Sequence, residues 1–89
     1  MSCYIVTFEV ATAQAREAVQ TKLKTYSGFC PIHSTCWAIL TDQKSENIRD
    51  LLMPVCGPTD RIFVVRSGTE AAWANLYGQA NTDWLKKNL

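Results

Sequence analysis

The sequence lacks a large excess of charge of either sign. Nine Lys and Arg residues against eight Asp and Glu residues leave a formal net charge of +1. Such a small charge creates no strong field for phosphate, so a nucleic-acid role would need a local basic patch. With 47% apolar and 19% charged residues, the composition is globular rather than disordered. Its 89 residues predict one domain, residues 1–89.

The sequence also lacks long apolar runs. No run is long enough to span a bilayer, and the N-terminus has neither the basic flank nor the apolar core of a signal peptide. We therefore expect a cytoplasmic protein with no membrane partner. None of the four cysteines forms a Cys-x-x-Cys pair, and in a reducing compartment they are expected to be small core residues.

One cysteine pattern, Cys30-x-x-His33-x-x-Cys36, contains soft metal ligands at regular spacing. In an extended chain His33 would point away from Cys30 and Cys36, and no compact fourth ligand follows. A Cys–His nucleophile pair is disfavoured because neighbours on a strand point apart and no orienting acid stands nearby. The pattern therefore favours structural cysteines.

The stretch that organises the predicted fold is Ser2 to Val10. Its even-numbered residues from Tyr4 onwards are all apolar, whereas its odd-numbered residues include Thr7 and Glu9. This alternation predicts a strand packed on a core, placed at the centre of a small sheet, with Glu9 at its carboxyl end. The face formed by the odd-numbered residues is half apolar, so we expect another part of the structure to shield it from water.

Two helices are predicted from apolar residues at helical spacing. Thr12 can cap the first helix, which we expect to end at Ser27-Gly28. Asp42 or Ser45 can cap the second helix, and Pro54 closes it near its end. The apolar face of the first comprises Ala15, Ala18, Val19, Leu23 and Tyr26, and that of the second comprises Ile48, Leu51, Leu52 and Val55.

Two further extended segments complete the pattern. Residues 29–41 are one bent strand or a hairpin that turns near His33-Ser34, and Pro31 indicates an edge position or a bulge. Asp60-Arg61 leads into an apolar strand that ends at Arg66. The order β-α-β(-β)-α-β predicts an α+β, ferredoxin-like sandwich, with an antiparallel sheet and both helices on one face.

The opposite sheet face would then be bare. We expect Ile5, Thr7, Trp37 and Ile39 to contribute to it, with one set of residues from 62–66. Residues 1–68 form the predicted core, and the extension 69–89 packs on this face or on a second copy of the chain. Trp73 and Trp84 in the extension are typical anchor residues.

Four stretches resemble one known family, the small CRISPR-associated adaptation nuclease, and in particular its short relatives of unassigned function. They are Tyr4-Ile5-Val6-Thr7-Phe8-Glu9, Asp60-Arg61-Ile62-Phe63-Val64-Val65-Arg66, Ala71-Ala72-Trp73 and Asp83-Trp84-Leu85. The resemblance implies a ferredoxin-like protomer, a homodimer built sheet face to sheet face, and a C-terminal strand that extends the partner's sheet. It also implies association with RNA or DNA.

The resemblance further implies a metal site. In the family an Asp at the end of the first strand, one from each protomer, binds a divalent metal, and the matching position here is Glu9. Glu9 is thus the candidate catalytic and metal-binding residue, with Mg²⁺ as the candidate cofactor of an endonuclease. The alternative is a strand-end carboxylate that meets solvent or pairs with an Arg.

Arg61 and Arg66 are the candidate binding residues, for phosphate or for an acidic partner. The competing interpretation pairs each with Asp60 or Glu70. Two other functions stay open: a noncatalytic dimeric adaptor that presents a surface to a protein or to nucleic acid, and a toxin-like ribonuclease similar to the virulence-associated small proteins of this fold.

Overall fold

The computed structural model describes residues 1–68 and 70–89, which form a four-stranded sheet and three α-helices. The strands are β1 (Ser2–Glu9), β2 (Gly28–His33), β3 (Cys36–Thr41) and β4 (Arg61–Arg66). The helices are α1 (Ala13–Leu23), α2 (Ser45–Leu52) and α3 (Gln79–Asn88), and a 3-10 turn, Met53–Val55, follows α2. The expected α+β class is confirmed. Thr69, the first residue of the predicted extension, lies outside the described residues.

The strand order is β2-β3-β1-β4, and every neighbouring pair is antiparallel. β1 lies inside the sheet, as its aromatic and β-branched residues predicted. In its register Val6 lies opposite Trp37 of β3 and opposite Val64 of β4. Residues that lie directly opposite each other on neighbouring strands share a face of the sheet. This register therefore decides which side chains of β1, β3 and β4 lie on each of the two faces.

β2 and β3 form a hairpin. The sequence was compatible with either this hairpin or a single bent strand. Their pairing shifts between Pro31 and His33, where the ladder is irregular. Pro31 lies on the edge strand β2, as expected for a residue without a backbone N–H. The turn is tied to β1, because the Phe8 N–H donates to the Thr35 carbonyl at 2.9 Å.

Both α1 and α2 pack on the same face of the sheet. The buried cluster there comprises Tyr4, Val6 and Phe8 of β1, Trp37 and Ile39 of β3, Val19 and Leu23 of α1, and Ile48 and Leu52 of α2. Ile62 and Val64 of β4 border it. Thr12 caps α1 as predicted, since its hydroxyl accepts a hydrogen bond from the Ala15 N–H at 3.0 Å.

The placement predicted for Trp37 and Ile39 was wrong. Both belong to the cluster under α1 and α2, at 4% and 0% exposure, rather than to the opposite face. The reason is the register, which sets Trp37 against Val6 and Ile39 against Tyr4. Because every side chain from 36 to 40 is apolar or a small thiol, the sequence pattern of β3 did not reveal its phase.

The helix ends also differ from the expectation. α1 ends at Leu23, because the Thr25 and Tyr26 N–H groups bond to the Lys22 and Leu23 carbonyls in tight turns before Ser27-Gly28. The residue at the N-cap of α2 is Lys44, so neither Asp42 nor Ser45 caps it. α2 ends at Leu52, and Val55 lies in the 3-10 turn around Pro54, which has no N–H for a helical bond.

The C-terminal segment packs on the other face of the same sheet. Leu85 of α3 is 1% exposed and forms a second buried cluster with Cys3, Cys30 and Ala38. The partly buried residues around it are Ile5, Ile32, Leu40, Trp73, Leu76, Trp84 and Leu89. The Asn81 side-chain amide also donates to the Pro31 carbonyl at 2.9 Å, which fixes α3 against β2.

The resemblance implied that this C-terminal segment contains a strand that extends the partner's sheet. The structure has a helix there, with Gln79 donating to Asp83 at 2.8 Å one turn later. Lys86 and Lys87 lie in its last turn, where cations interact favourably with the helix dipole. The helix brings Leu85 onto the sheet of its own chain.

We predict that Leu85→Ala lowers the free energy of unfolding by about 2–5 kcal/mol, because it leaves a cavity between α3 and the sheet. Urea denaturation followed by far-ultraviolet circular dichroism measures this. Lys87→Ala is the control, since Lys87 is exposed in the same helix and its loss should change stability by no more than about 0.5 kcal/mol. Equal stability of the two variants would show that α3 contributes nothing to the core.

Candidate functional site

The second sheet face is covered unequally. α3 makes its principal sheet contacts with β2, and its cluster contains no residue of β4. The odd-numbered side chains of β4 lie opposite Glu9, Thr7 and Ile5 in turn, and so occupy the same face. Phe63 is 61% exposed and Val65 is 43% exposed there. We call this surface, made of Thr7, Arg61, Phe63 and Val65, the β4 strip.

Glu9 and Arg61 form an ion pair at one end of the β4 strip. They lie directly opposite each other at the end of the β1–β4 ladder, so the register itself brings the two charges together. Their side chains are 74% and 79% exposed, and water therefore screens the attraction. The carboxylate singled out from the sequence is thus balanced by one of the two candidate binding residues.

Asp60 has a structural role beside this pair. One carboxylate oxygen accepts a hydrogen bond from the Ala11 N–H at 3.0 Å, and the other accepts from the Gly57 N–H at 2.7 Å. These bonds tie the end of β1 to the loop that enters β4. Asp60 was expected as a partner of Arg61, but Arg61 pairs with Glu9 instead because the two lie opposite each other in the ladder.

An open groove of about 690 Å³ runs beside the Glu9–Arg61 pair. The hairpin turn contributes His33 and Thr35 to its wall, with the His33 Nδ1 and the Thr35 Oγ1 3.5 Å apart. The 3-10 turn contributes Met53, and the β4 strip contributes Thr7, Arg61 and Phe63. The groove therefore combines an exposed aromatic ring, a guanidinium, an imidazole and hydroxyl groups, which suit binding of a polar ligand with flat rings.

Arg66 lies at the opposite end of β4 from Arg61, so the two candidate binding residues do not form one site. Arg66 borders a separate cavity of about 470 Å³ under the C-terminal segment, together with Trp73, Lys86 and Glu70. Within residues 1–68 and 70–89, neither Arg66 nor Lys86 forms an ion pair. β4 thus carries a positively charged side chain at each end, Arg61 and Arg66.

The cysteines lie away from the groove or are buried beneath it. Burial raises the pKa of the Cys3, Cys30 and Cys36 thiols above their ordinary value of 9.0. Burial, with Asp60 nearby, also raises the pKa of Cys56. A raised pKa keeps the nucleophilic thiolate scarce at neutral pH, so these thiols behave as small apolar side chains.

Sequence reasoning did not single out Phe63. The strand 62–65 is apolar on both faces, and such a pattern is typical of a strand covered on both sides. The only available signal was the position of Phe63 between Arg61 and Arg66 in a strand rich in exposed charge at its ends. Its exposure depends on the edge position of β4 and on the limited reach of α3, which are tertiary properties.

Comparison with known proteins leaves the family open. No family model matches the chain, and no curated protein matches it significantly. None of the helices in the described ranges combines the length and the apolar character that a membrane span requires.

We predict that the Glu9–Arg61 pair contributes little to folding. A double-mutant cycle of Glu9→Gln and Arg61→Gln should give a coupling energy of about 0.2–1 kcal/mol at low salt, because both side chains are exposed. The coupling should fall when salt is raised, since screening shortens the range of the attraction. A coupling above about 2 kcal/mol that persists in molar salt would contradict an exposed pair.

Proposed function

We propose that this protein is a small nucleic-acid-associated protein that binds single-stranded RNA or DNA on the β4 strip. The observation that carries the proposal is Phe63, a phenyl ring 61% exposed on an open sheet face, two residues from Arg61 on the same face. An aromatic ring offers a stacking surface to any base, and a neighbouring guanidinium can reach the adjacent phosphate. Thr7 and His33 add hydrogen-bonding groups within the groove.

The expected affinity of one protomer is modest. Stacking of one base on one ring contributes about 1–3 kcal/mol to binding. The ion pair of Arg61 with Glu9 weakens the attraction of Arg61 for phosphate. A net charge of +1 adds no long-range attraction. A second strip held at a fixed distance would raise the apparent affinity without any new kind of contact. The proposal therefore includes a homodimer.

The fold supports the same proposal. From β4 to β2 the strand order is β4-β1-β3-β2, with all pairs antiparallel and with α1 and α2 together on one face. We propose that this arrangement is ferredoxin-like, the class to which single-strand binding sheets of the RNA-recognition type belong. The resemblance to the short relatives of the CRISPR-associated nuclease, and a cytoplasmic location, belong to this proposal as well.

Whether Glu9 binds magnesium is a question separate from nucleic-acid binding. Magnesium sites use one or two carboxylates together with waters and substrate phosphates. Glu9 faces a guanidinium, and the neighbouring Asp60 already accepts two backbone hydrogen bonds. The donors of one chain therefore fit magnesium poorly, and we propose binding rather than a cleavage step. The metal-dependent nuclease and the toxin-like ribonuclease are the alternatives that an activity assay would favour.

A second candidate function is the noncatalytic adaptor. It is favoured by Val65, which is 43% exposed beside Phe63 and gives the β4 strip an apolar part that a protein partner would bury. An adaptor would use the same surface without nucleic acid. The two candidates are separated by whether labelled oligonucleotides bind the isolated protein.

We predict that Phe63→Leu lowers the affinity for a labelled single-stranded oligonucleotide of about twelve nucleotides at least fivefold, because Leu keeps the apolar volume but offers no ring for stacking. Fluorescence anisotropy measures the effect with RNA and with DNA. Tyr77→Leu is the control, since Tyr77 is an equally exposed aromatic outside the sheet, at 64% exposure. Equal affinity of Phe63→Leu and the unaltered protein, or no binding by either, would contradict the proposal.

We further expect that Arg61→Gln, made together with Glu9→Gln to leave no unpaired carboxylate, reduces the salt dependence of binding by about one phosphate contact. Arg16→Gln on α1 is the control, because this exposed residue lies on a helix that packs on the other sheet face. An unchanged salt slope in the double variant would exclude Arg61 from phosphate binding.

We expect the same oligonucleotides to remain uncut in Mg²⁺, because Glu9 is already paired with Arg61 and the neighbouring carboxylate, Asp60, already accepts two backbone hydrogen bonds. Gel electrophoresis after incubation with Mg²⁺ and with a chelator measures this. Cleavage that requires Mg²⁺ and is lost in Glu9→Gln, but kept in Glu17→Gln on α1, would replace the binding proposal with the metal-dependent nuclease.

A further inference from the structure

β4 is an edge strand whose outer backbone groups are unpaired within the described residues. The Ser67 N–H donates to the Cys3 carbonyl at 2.9 Å, which identifies Cys3 and Ser67 as a hydrogen-bonded pair of the β1–β4 ladder. Hydrogen-bonded pairs alternate along an antiparallel ladder, so Val65, Phe63 and Arg61 also turn their backbone groups towards β1. The N–H and C=O groups of Ile62, Val64 and Arg66 therefore point outward.

We infer that this edge binds β4 of a second copy of the chain, in antiparallel pairing centred on Val64. This inference deepens the proposed homodimer by naming its interface. In this register Val64 lies opposite the partner's Val64, and Ile62 lies opposite the partner's Arg66. It makes three hydrogen-bonded pairs, each exchanging two bonds, and so uses every outward group of Ile62, Val64 and Arg66. A shift of two residues in either direction leaves outward groups unpaired.

The side chains fit the same register. Phe63 lies opposite the partner's Val65, and Val65 lies opposite the partner's Phe63, in non-hydrogen-bonded pairs where side chains are closest. Aromatic and β-branched residues form favourable cross-strand pairs. Each pair would bury the flanks of side chains that are 61% and 43% exposed in one chain, and would leave the outer face of the Phe63 ring free. No Pro, Gly or Lys interrupts residues 61–66, and the two charged residues of this strand stand at its ends, so the stretch between them is free to pair.

Charge complementarity favours a second copy as the occupant. Glu46 of α2 lies beside Ile62 and Val64 at the β4 edge, together with Arg49. Arg49 is paired with Asp50 at 3.0 Å, whereas Glu46 forms no ion pair within residues 1–68 and 70–89. The partner's Arg66, opposite Ile62, would therefore place its guanidinium next to Glu46. The two-fold symmetry repeats this contact at the other end of the interface.

The inferred dimer is a continuous eight-stranded sheet that leaves its open face free. The two β4 strips would then lie side by side, with both Phe63 rings and both Arg61 side chains on one surface. Glu9 and the partner's Glu9 would be three strand spacings of about 4.8 Å apart across the sheet and six residues of about 3.4 Å apart along the strands, roughly 25 Å in all. This dimer therefore builds a longer single-strand platform and no two-carboxylate metal site, unlike the face-to-face dimer that the resemblance implied.

Disulfide trapping tests the register. We expect an equimolar mixture of Phe63→Cys and Val65→Cys proteins to form a covalent dimer under mild oxidation, since these positions face each other about 4.5 Å apart between Cα atoms, within the range of a disulfide. Each variant alone should stay at the level of the unaltered protein, whose own cysteines set the baseline. Cross-linking of either variant alone would show a shifted register and overturn the inference.

Proline substitution tests the edge. Arg66→Pro removes an outward N–H without touching the bonds to β1, and should raise the dimer dissociation constant at least tenfold in light scattering over a concentration series. The matched Arg66→Ala loses both guanidinium contacts with Glu46 but keeps the N–H, so its dimer dissociation constant should lie at least threefold below that of Arg66→Pro. A monomer at all concentrations, or a dimer insensitive to Arg66→Pro, would overturn the inference. Neither readout involves oligonucleotide, so a failure here is distinct from a failure of nucleic-acid binding.

Discussion

The antiparallel register of β1 with its two neighbours is the constraint on which the rest of the structure depends. It sets Val6 between Trp37 and Val64, and thereby assigns one apolar layer to α1 and α2. The same register places Thr7 beside Phe63 and Glu9 beside Arg61 on the other face. A shift of one residue would exchange the two faces and expose the main core, so the burial of Val6 at 0% holds the register in place.

On the sheet face opposite α1 and α2, the surface available to a ligand is the part that α3 does not cover. Leu85 closes the part of the sheet formed by β2, β3 and the start of β1, whereas β4 lies outside this cluster. The inner strands β1 and β3 are therefore partly covered on this face by the C-terminal segment. The β4 edge is the part of this face that α3 leaves open, and Phe63 is its exposed large aromatic side chain.

The Glu9–Arg61 pair is the electrostatic feature of this edge that bears on metal binding. A carboxylate opposed by a guanidinium has less need of a metal ion than two carboxylates at a dimer axis would have. The raised pKa values of the thiols likewise disfavour a cysteine nucleophile. These features favour a binding surface over a catalytic centre, and they are why the β4 strip rather than Glu9 alone carries the proposed function.

Local sequence determined what depends on local physical chemistry. The alternation of residues 2–10 predicted the central strand, and Thr12 predicted the start of α1 because a side-chain cap needs only its own next turn. Pro31 predicted an edge strand, because a residue without an N–H cannot serve inside a sheet.

Only the tertiary structure decided the rest. Adjacent residues of β3 are apolar, so its sequence does not show which residues face which side of the sheet. The face on which Trp37 lies was decided by its pairing with Val6. The pairing of Glu9 with Arg61 joins residues 52 positions apart, and the exposure of Phe63 depends on the edge position of β4 and on where α3 packs. The sequence predicted that an apolar sheet face needed a cover, because apolar surface must leave water. Which segment supplies that cover depends on shape complementarity across the whole chain, and shape is a property of the folded molecule.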